Sequence, residues 1–430
     1  MRAMKDSGVE WIGEIPQDWK VKKFKYFFDI IVGNGFKDEF QGNETGEIPF
    51  CKASDINGSG KYVSIAKNFV SYELANLQKY NIIPTNSILI PKIGEALRKN
   101  HRKINTVPCI VDNNCEAFTM NSNDNISYLY YVMKHIDMDW FDNGGTIPSV
   151  NNSKLREFYF PLPNVVIQEN ISNYLDSKCS KIDSIIEKQQ AVIEKLKEYK
   201  LSIITEAVSK GLNSDVEMKD SGVEWIGEVP KHWEVTKMKY ISNAIGDGLH
   251  GTPLYDDNGK VYFVNGNNIG QDSLSFKDST NKINEEELKK YKLPLMNGNT
   301  VLITLNGATY GKTSFYNGEK ILLGKSAGFI TLKDGENKKF VRLYLQSRLA
   351  KNIIDLSLSG STIANVSLET LNNLLLPYPP SIEQAEIVKY LTLKCEKIDC
   401  LIAEKLKTLE LLLAYKKSLI YEVVTGKKEV

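Results

Sequence analysis

Between residues 168 and 208 the chain has no Pro or Gly, and apolar side chains return every seven residues, with Leu175, Ile182, Ile185, Val192, Leu196, Tyr199 and Ile203 on one seam. Lys178, Gln189 and Glu206 fill the other seam positions. The pattern returns near the C-terminus, where Leu391, Ile398, Leu401, Leu412, Tyr415 and Leu419 form the seam and Lys394, Lys405, Thr408 and Glu422 interrupt it. Both stretches predict coiled-coil helices. Ser381 with Gln384 makes a capping box that the first stretch lacks, and Gly211 and Gly426 fall where the helix C-termini are expected. At ~1.5 Å per residue each helix is a rod of about 60 Å. Neither can bury its seam alone, so the expected arrangement is an antiparallel coiled coil with a globular domain at each end, related by a pseudo-twofold. Shorter apolar runs, such as VLIT at 301–304 and TSFY at 313–316, read as strands around a glycine turn.

The chain also repeats itself. MKDSGVEWIGE from Met4 recurs letter for letter from Met218, and TIPSVNNSKLREFYFPLP from Thr146 is echoed by TIANVSLETLNNLLLPYP from Thr362. The likeness runs into the helices, where Gln168, Tyr174, Leu175, Cys179 and Asp183 meet Gln384, Tyr390, Leu391, Cys395 and Asp399. Between the repeated blocks, residues 27–145 and 241–361 do not align. A duplicated frame thus holds two diverged inserts, and the repeat is too long for a solenoid. The expected division is 1–163, a helical spacer at 164–212, 213–379, and a second spacer at 380–430, in an α/β (α+β) chain whose two domains mix strands and helices. Trp11, Trp19, Trp225 and Trp233 repeat with the frame and read as anchors for the segment before each domain.

Composition narrows the chemistry. Net charge is +1, with 25% charged and 42% hydrophobic residues, so nucleic-acid affinity must come from local patches. The six cysteines form no C-x-x-C pair and the four histidines are scattered, which argues against structural zinc. No apolar run approaches membrane-spanning length and no signal-like N-terminus is evident; a cytoplasmic protein with reduced thiols and no membrane contact is expected. No N-P-P-F or D-P-P-Y motif is present. The nearest approach to a phosphate-binding loop, Gly307 to Thr313, has three residues between its glycines where that loop needs four.

The ordered pairs WIGEIPQDW and WIGEVPKHW, GGTIPSVNNSKLREFYFPLP and GSTIANVSLETLNNLLLPYP, and IQENISNYLDSKCSKID and IEQAEIVKYLTLKCEKID resemble the specificity subunits of type I restriction-modification enzymes over essentially the whole chain. The resemblance implies two target-recognition domains, each reading one half of a bipartite site in double-stranded DNA. It implies helices that act as a ruler and as a dock for two modification (methyltransferase) subunits, with restriction (translocase-nuclease) subunits joining through the complex. Catalysis would belong to those partners, with S-adenosylmethionine, ATP and Mg bound there and no cofactor on this chain. The alternative is a self-contained methyltransferase or nuclease with fused recognition domains.

Local charge suggests where DNA is met. Residues 27–163 carry 13 basic and 15 acidic side chains, yet Lys92, Arg98, Lys99, Arg102 and Lys103 are opposed only by Glu95 within twelve residues. Asn100 and His101 lie among them as candidate base readers, because phosphates supply affinity and base edges supply specificity. Residues 241–379 carry 15 basic and 13 acidic side chains. There Thr309, Tyr310, Lys312 and Lys325 flank the glycine turn, and His250 sits in the glycine-rich run GDGLHGTP, which would let backbone approach a groove closely.

Overall fold

The computed structural model describes residues 2–58, 60–63, 66–270, 272–358 and 365–430. Residues 360–364, which open the second copy of the GGTIPSV block, lie outside the described residues. Two compact units emerge: one is Met1–Gln190 with Lys407–Val430, the other Ala191–Leu406. The boundaries pass through the two long helices rather than around them, so each unit contains half of each helix.

In the first unit, a four-stranded antiparallel sheet runs in the order Phe28–Val32, Cys115–Met120, Ile88–Pro91, Lys103–Ile104. A three-stranded sheet orders Phe69–Val70, Ile48–Cys51, Ile110–Val111, the last two parallel. The second unit repeats this plan. Its four-stranded sheet is Ser242–Asp247, Ala327–Leu332, Thr300–Thr304, Thr313–Phe315, and its three-stranded sheet is Lys282–Ile283, Val261–Val264, Ile321–Leu323, again with a parallel pair at the end. The inserts that do not align in sequence therefore share one topology. Strands such as ILIP and TVLIT are buried along their whole length, as sheets covered on both faces require, and this erases the alternation that would mark them.

The repeated frame closes each insert. Lys20–Lys23 pairs with Tyr159–Leu162 in the first unit, and Glu234–Lys237 with Leu375–Tyr378 in the second, so the opening block and the proline block are neighbouring strands. A small hairpin precedes each, Met4–Asp6 with Glu14–Pro16 and Met218–Asp220 with Glu228–Pro230.

The long helices span Val165–Lys210 and Ser381–Val424. The first unit buries Ile171, Leu175, Cys179 and Ile182 from the start of one helix with Leu419, Ile420, Val423 and Val424 from the end of the other. The second unit buries Ile203, Ile204, Ala207 and Val208 with Ile387, Val388, Leu391 and Ile398. Start meets end in both units, as in an antiparallel pair. The seam, however, is offset from the expected one. Buried and half-buried positions are 175, 179, 182, 186, 189, 193, 196, 200, 203 and 207, and their repeats from 391 to 423, while Ile185, Val192, Tyr199, Leu401 and Tyr415 are 40–54% exposed. The offset seam is the more apolar one, since it takes Cys179 and Ala207 in place of Lys178 and Glu206 and keeps isoleucines at 186 and 193. Its lysine is neutralised: the Lys200 Nζ meets the Asp399 carboxylate at 2.6 Å, and the repeated partners form the reciprocal pair, Lys416 with Asp183 at 2.5 Å.

The expected capping box is not how Gln384 is used. Its amide, 2% exposed, donates to the Pro379 carbonyl at 2.9 Å, and the repeated Gln168 does the same to Pro163 at 3.0 Å. At the other ends Gly211 and Gly426 adopt φ of +78° and +72°, as expected for helix C-termini. Trp19 and Trp233, 1% and 0% exposed, pack against those glycines, and Trp11 donates its indole N–H to the Tyr159 carbonyl at 3.1 Å. Those three are anchors; Trp225 is 43% exposed and is not.

Candidate nucleic-acid interface

Sheet register brings the candidate residues of each unit to one sheet end. In the first unit the loop of residues 92–102 joins Ile88–Pro91 to the edge strand Lys103–Ile104. In the second unit the connection between the corresponding strands, Thr300–Thr304 and Thr313–Phe315, is the glycine turn that holds Thr309, Tyr310 and Lys312. The two candidate loops, chosen for unrelated sequence features, are thus the same connection in one shared topology. Each also meets the same repeated segment: Ile93 lies opposite Ser149, and Asn306 opposite Asn365.

The first loop is not uniformly solvent-facing. Arg98 and Lys99 are exposed, while Lys92, Asn100 and His101 are half-buried. Arg102 and Lys103, expected to face DNA, are 1% and 6% exposed. The Arg102 guanidinium donates to the Ile136 carbonyl at 3.0 Å and to the Asn100 side-chain oxygen, and burial brings its pKa down to about 10. Lys103 reaches the Asp55 carbonyl at 3.4 Å. Asn100, at φ +54°, spends its amide on the Ile136 carbonyl at 3.1 Å and its oxygen on Arg102. These three residues hold the loop's shape, because their side chains turn inward and donate to the Ile136 and Asp55 carbonyls. His101 has its pKa lowered, first by burial and then by Lys134, Lys99, Lys103 and Arg102, so it presents a neutral imidazole.

In the second unit Lys312 and Lys325 are exposed, Thr309 is half-buried, and the Tyr310 hydroxyl donates to Asp355 at 2.8 Å. Thr304 pairs with Ala327 and Asp247 with Gly328, which places Lys312, Lys325 and His250 at the same sheet end. His250 is 71% exposed and its Nε2 lies 2.6 Å from the Asp247 carboxylate. A cleft of about 460 Å³ opens beside the turn, lined by Tyr310, Lys312, Gln346 and Lys351. Gln346 and Lys351 escape a sequence reading because they lie more than thirty residues from the turn and carry no local signal. A second cleft, about 370 Å³, lies between the glycine-rich segment at Gly246–Leu249 and the lysine-rich loop that contains Lys292.

Among the described residues no helix is long and apolar enough to cross a membrane, and no group of three His, Cys, Asp or Glu side chains could hold a metal ion. Cys179 and Cys395 sit in the helix seam, where burial pushes both thiols up, Cys179 to about 11.

Comparison with known proteins agrees with this architecture. The family model for the type I restriction modification DNA specificity domain matches twice, over residues 16–195 and 230–411. The MjaIX type I restriction enzyme specificity subunit of Methanocaldococcus jannaschii is 25% identical over 388 residues, covering 86% of this chain and 85% of its own. The StySPI specificity subunit of Salmonella potsdam is 23% identical over 402 residues, covering 88% and 82%. In fold, a chain from a solved structure concerned with complex assembly and conformational transition of the type I R-M system aligns with a TM-score of 0.65 at 14% identity, covering 95% of this chain and 98% of that one. With two matched domains on one duplicated frame, the chain belongs to the type I restriction-modification DNA specificity family, as a DNA-recognition subunit with no catalytic work of its own.

Proposed function

We propose that each unit reads one half of a bipartite DNA site with the loop that leaves the third strand of its four-stranded sheet. The observation that carries this reading is the coincidence of the 92–102 loop and the 305–312 turn in one topology. Arg98 and Lys99 in the first unit, and Lys312, Lys325 and Lys351 in the second, supply exposed charge for phosphate neutralisation. His101, Thr309 and Gln346 sit close enough to address base edges, while His250 serves at the groove edge through its glycine-rich loop. Arg102, Lys103 and Asn100 support the first loop from behind.

The helical stretches at 164–212 and 380–430 then act as spacer and dock. Ile185, Val192 and Tyr199 form an exposed row beside the buried seam, and Leu401, Thr408 and Tyr415 occupy the repeated positions. A row that occurs once per helix suits two copies of one partner, the modification subunit, with restriction subunits joining through it. S-adenosylmethionine, ATP and Mg belong to those partners, in a cytoplasmic complex.

The test is modular exchange. Replacing residues 27–145 with the matching segment of a relative, and sequencing methylated DNA from cells that contain the modification subunits, should change one half of the methylated motif and leave the other intact. Simultaneous change of both halves would refute the assignment.

A further inference from the structure

The GGTIPSV block holds a feature that packing does not explain. Gly144, Thr146, Ile147, Val150 and Leu155 have identical counterparts at Gly360, Thr362, Ile363, Val366 and Leu371. Leu155, Leu371 and Val366 are buried and Val150 packs on the core, which accounts for those positions. Gly144, Thr146 and Ile147 are exposed, as are the residues between them, with Ile147 at 62%. A Cβ on Gly144 would meet nothing within 4 Å, so crowding does not require the glycine either. Its φ of +75° instead turns the segment outward.

The segment is fixed beside the DNA-reading loop. The Gly94 N–H donates to the Pro148 carbonyl at 2.8 Å, the Val150 N–H to the Lys92 carbonyl at 3.0 Å, and Asn143 to the Ser149 hydroxyl at 3.0 Å. The second unit keeps the equivalent bond, from the Val366 N–H to the Leu305 carbonyl at 2.8 Å. On the proposed function the inserts diverge because they meet different base sequences, whereas a segment whose letters repeat in both units, and which is exposed in the first, calls for something alike at both half-sites, and the sugar-phosphate backbone is the feature that half-sites share.

We propose that residues 143–147 make a sequence-independent contact with the DNA backbone. The Gly145 N–H and the Thr146 hydroxyl donate to phosphate oxygens and Ile147 lies against a sugar, while the Gly144 N–H is held by the Asp142 carboxylate, which fixes the turn. Exposed Arg98 and Lys99 belong to the neighbouring DNA-reading loop and not to this contact. The proposal rests on the DNA-reading assignment of the 92–102 loop, so the experiment tests the two separately.

The chain reconstituted with its modification subunits is titrated with fluorescent duplexes carrying the cognate site or a substituted first half-site, for wild type, Thr146→Ala/Ile147→Ala and Arg98→Ala/Lys99→Ala. The first variant should lose about tenfold in affinity for both duplexes, with its methylated motif unchanged. Methylphosphonate linkages along the first half-site should weaken wild-type binding at one position and leave the variant's binding untouched there. Wild-type affinity in the variant would overturn the proposal. So would a loss confined to cognate DNA, or failure to assemble with the modification subunit on size exclusion, which would make the segment a base reader or a protein dock. Unchanged binding by Arg98→Ala/Lys99→Ala would instead count against the loop assignment alone.

Discussion

At the scale of single residues, the repeated helix-terminal glycines show how one sequence signal conceals two physical demands. Gly211 and Gly426 are legible as helix ends, and both adopt the left-handed conformation that glycine accepts freely. Their surroundings differ. A Cβ on Gly426 would come within 2.5 Å of Pro16 and 3.1 Å of Trp19, whereas on Gly211 its nearest neighbour is Trp233 at 3.2 Å. Gly426→Ala should therefore cost about 2–4 kcal/mol, the backbone term plus overpacking, and Gly211→Ala about 1–2 kcal/mol. Equal losses in chemical denaturation would mean that backbone conformation alone is at work. Arg102 makes the same point for charge: the basic cluster is plain in sequence, but the direction of each side chain depends on a partner, the Ile136 carbonyl, 34 residues away.

At the scale of elements, the helices were plain in the sequence, and their packing register turned on a fuller count of seam positions. Two registers share positions 175, 182, 189, 196 and 203. The rest of the seam could be 178, 185, 192, 199 and 206, with Lys and Glu at its ends, or 179, 186, 193, 200 and 207, where Lys200 is the charged member. The fold takes the second, which buries more apolar side chain, while Asp399 satisfies Lys200 and the first row stays on the surface. Neighbouring residues consequently have opposite roles. Ile193, 3% exposed, should lose about 2–4 kcal/mol on truncation to Ala. Val192, 40% exposed, should change by less than about 0.5 kcal/mol yet weaken co-purification with the modification subunit. The reverse ranking in unfolding midpoints would restore the simpler seam.

At the scale of the whole molecule, acid response should divide the two units. His135 in the first unit stacks on Tyr421 at 4.7 Å and Trp11 at 5.8 Å. Burial, followed by Lys417 and Lys427, brings its pKa down to about 4 from 6.5, and His101 moves the same way. A folded-state pKa below the unfolded one means that the unfolded chain takes up protons first. The first unit should thus lose stability as pH falls from about 6.5 toward about 4, and keep it above that window. His135→Phe should flatten this dependence in urea midpoints measured across pH; parallel curves for variant and wild type would remove His135 as the cause.

Sequence by itself determined the duplicated frame, the two long helices with their glycine ends, and the family resemblance, because each is written in local pattern or in repeated letters. It did not reveal that the unaligned inserts share one topology. Their strands are buried on both faces, and a great many apolar residues satisfy such positions equally well, so topology persists after letters have drifted. Only the tertiary structure decided which basic residues turn inward and that the 92–102 loop and the 305–312 turn occupy one place in the fold. Those outcomes depend on partners far apart in the chain, such as Asp399 for Lys200 and Ser149 for Ile93, whose proximity no local spacing encodes.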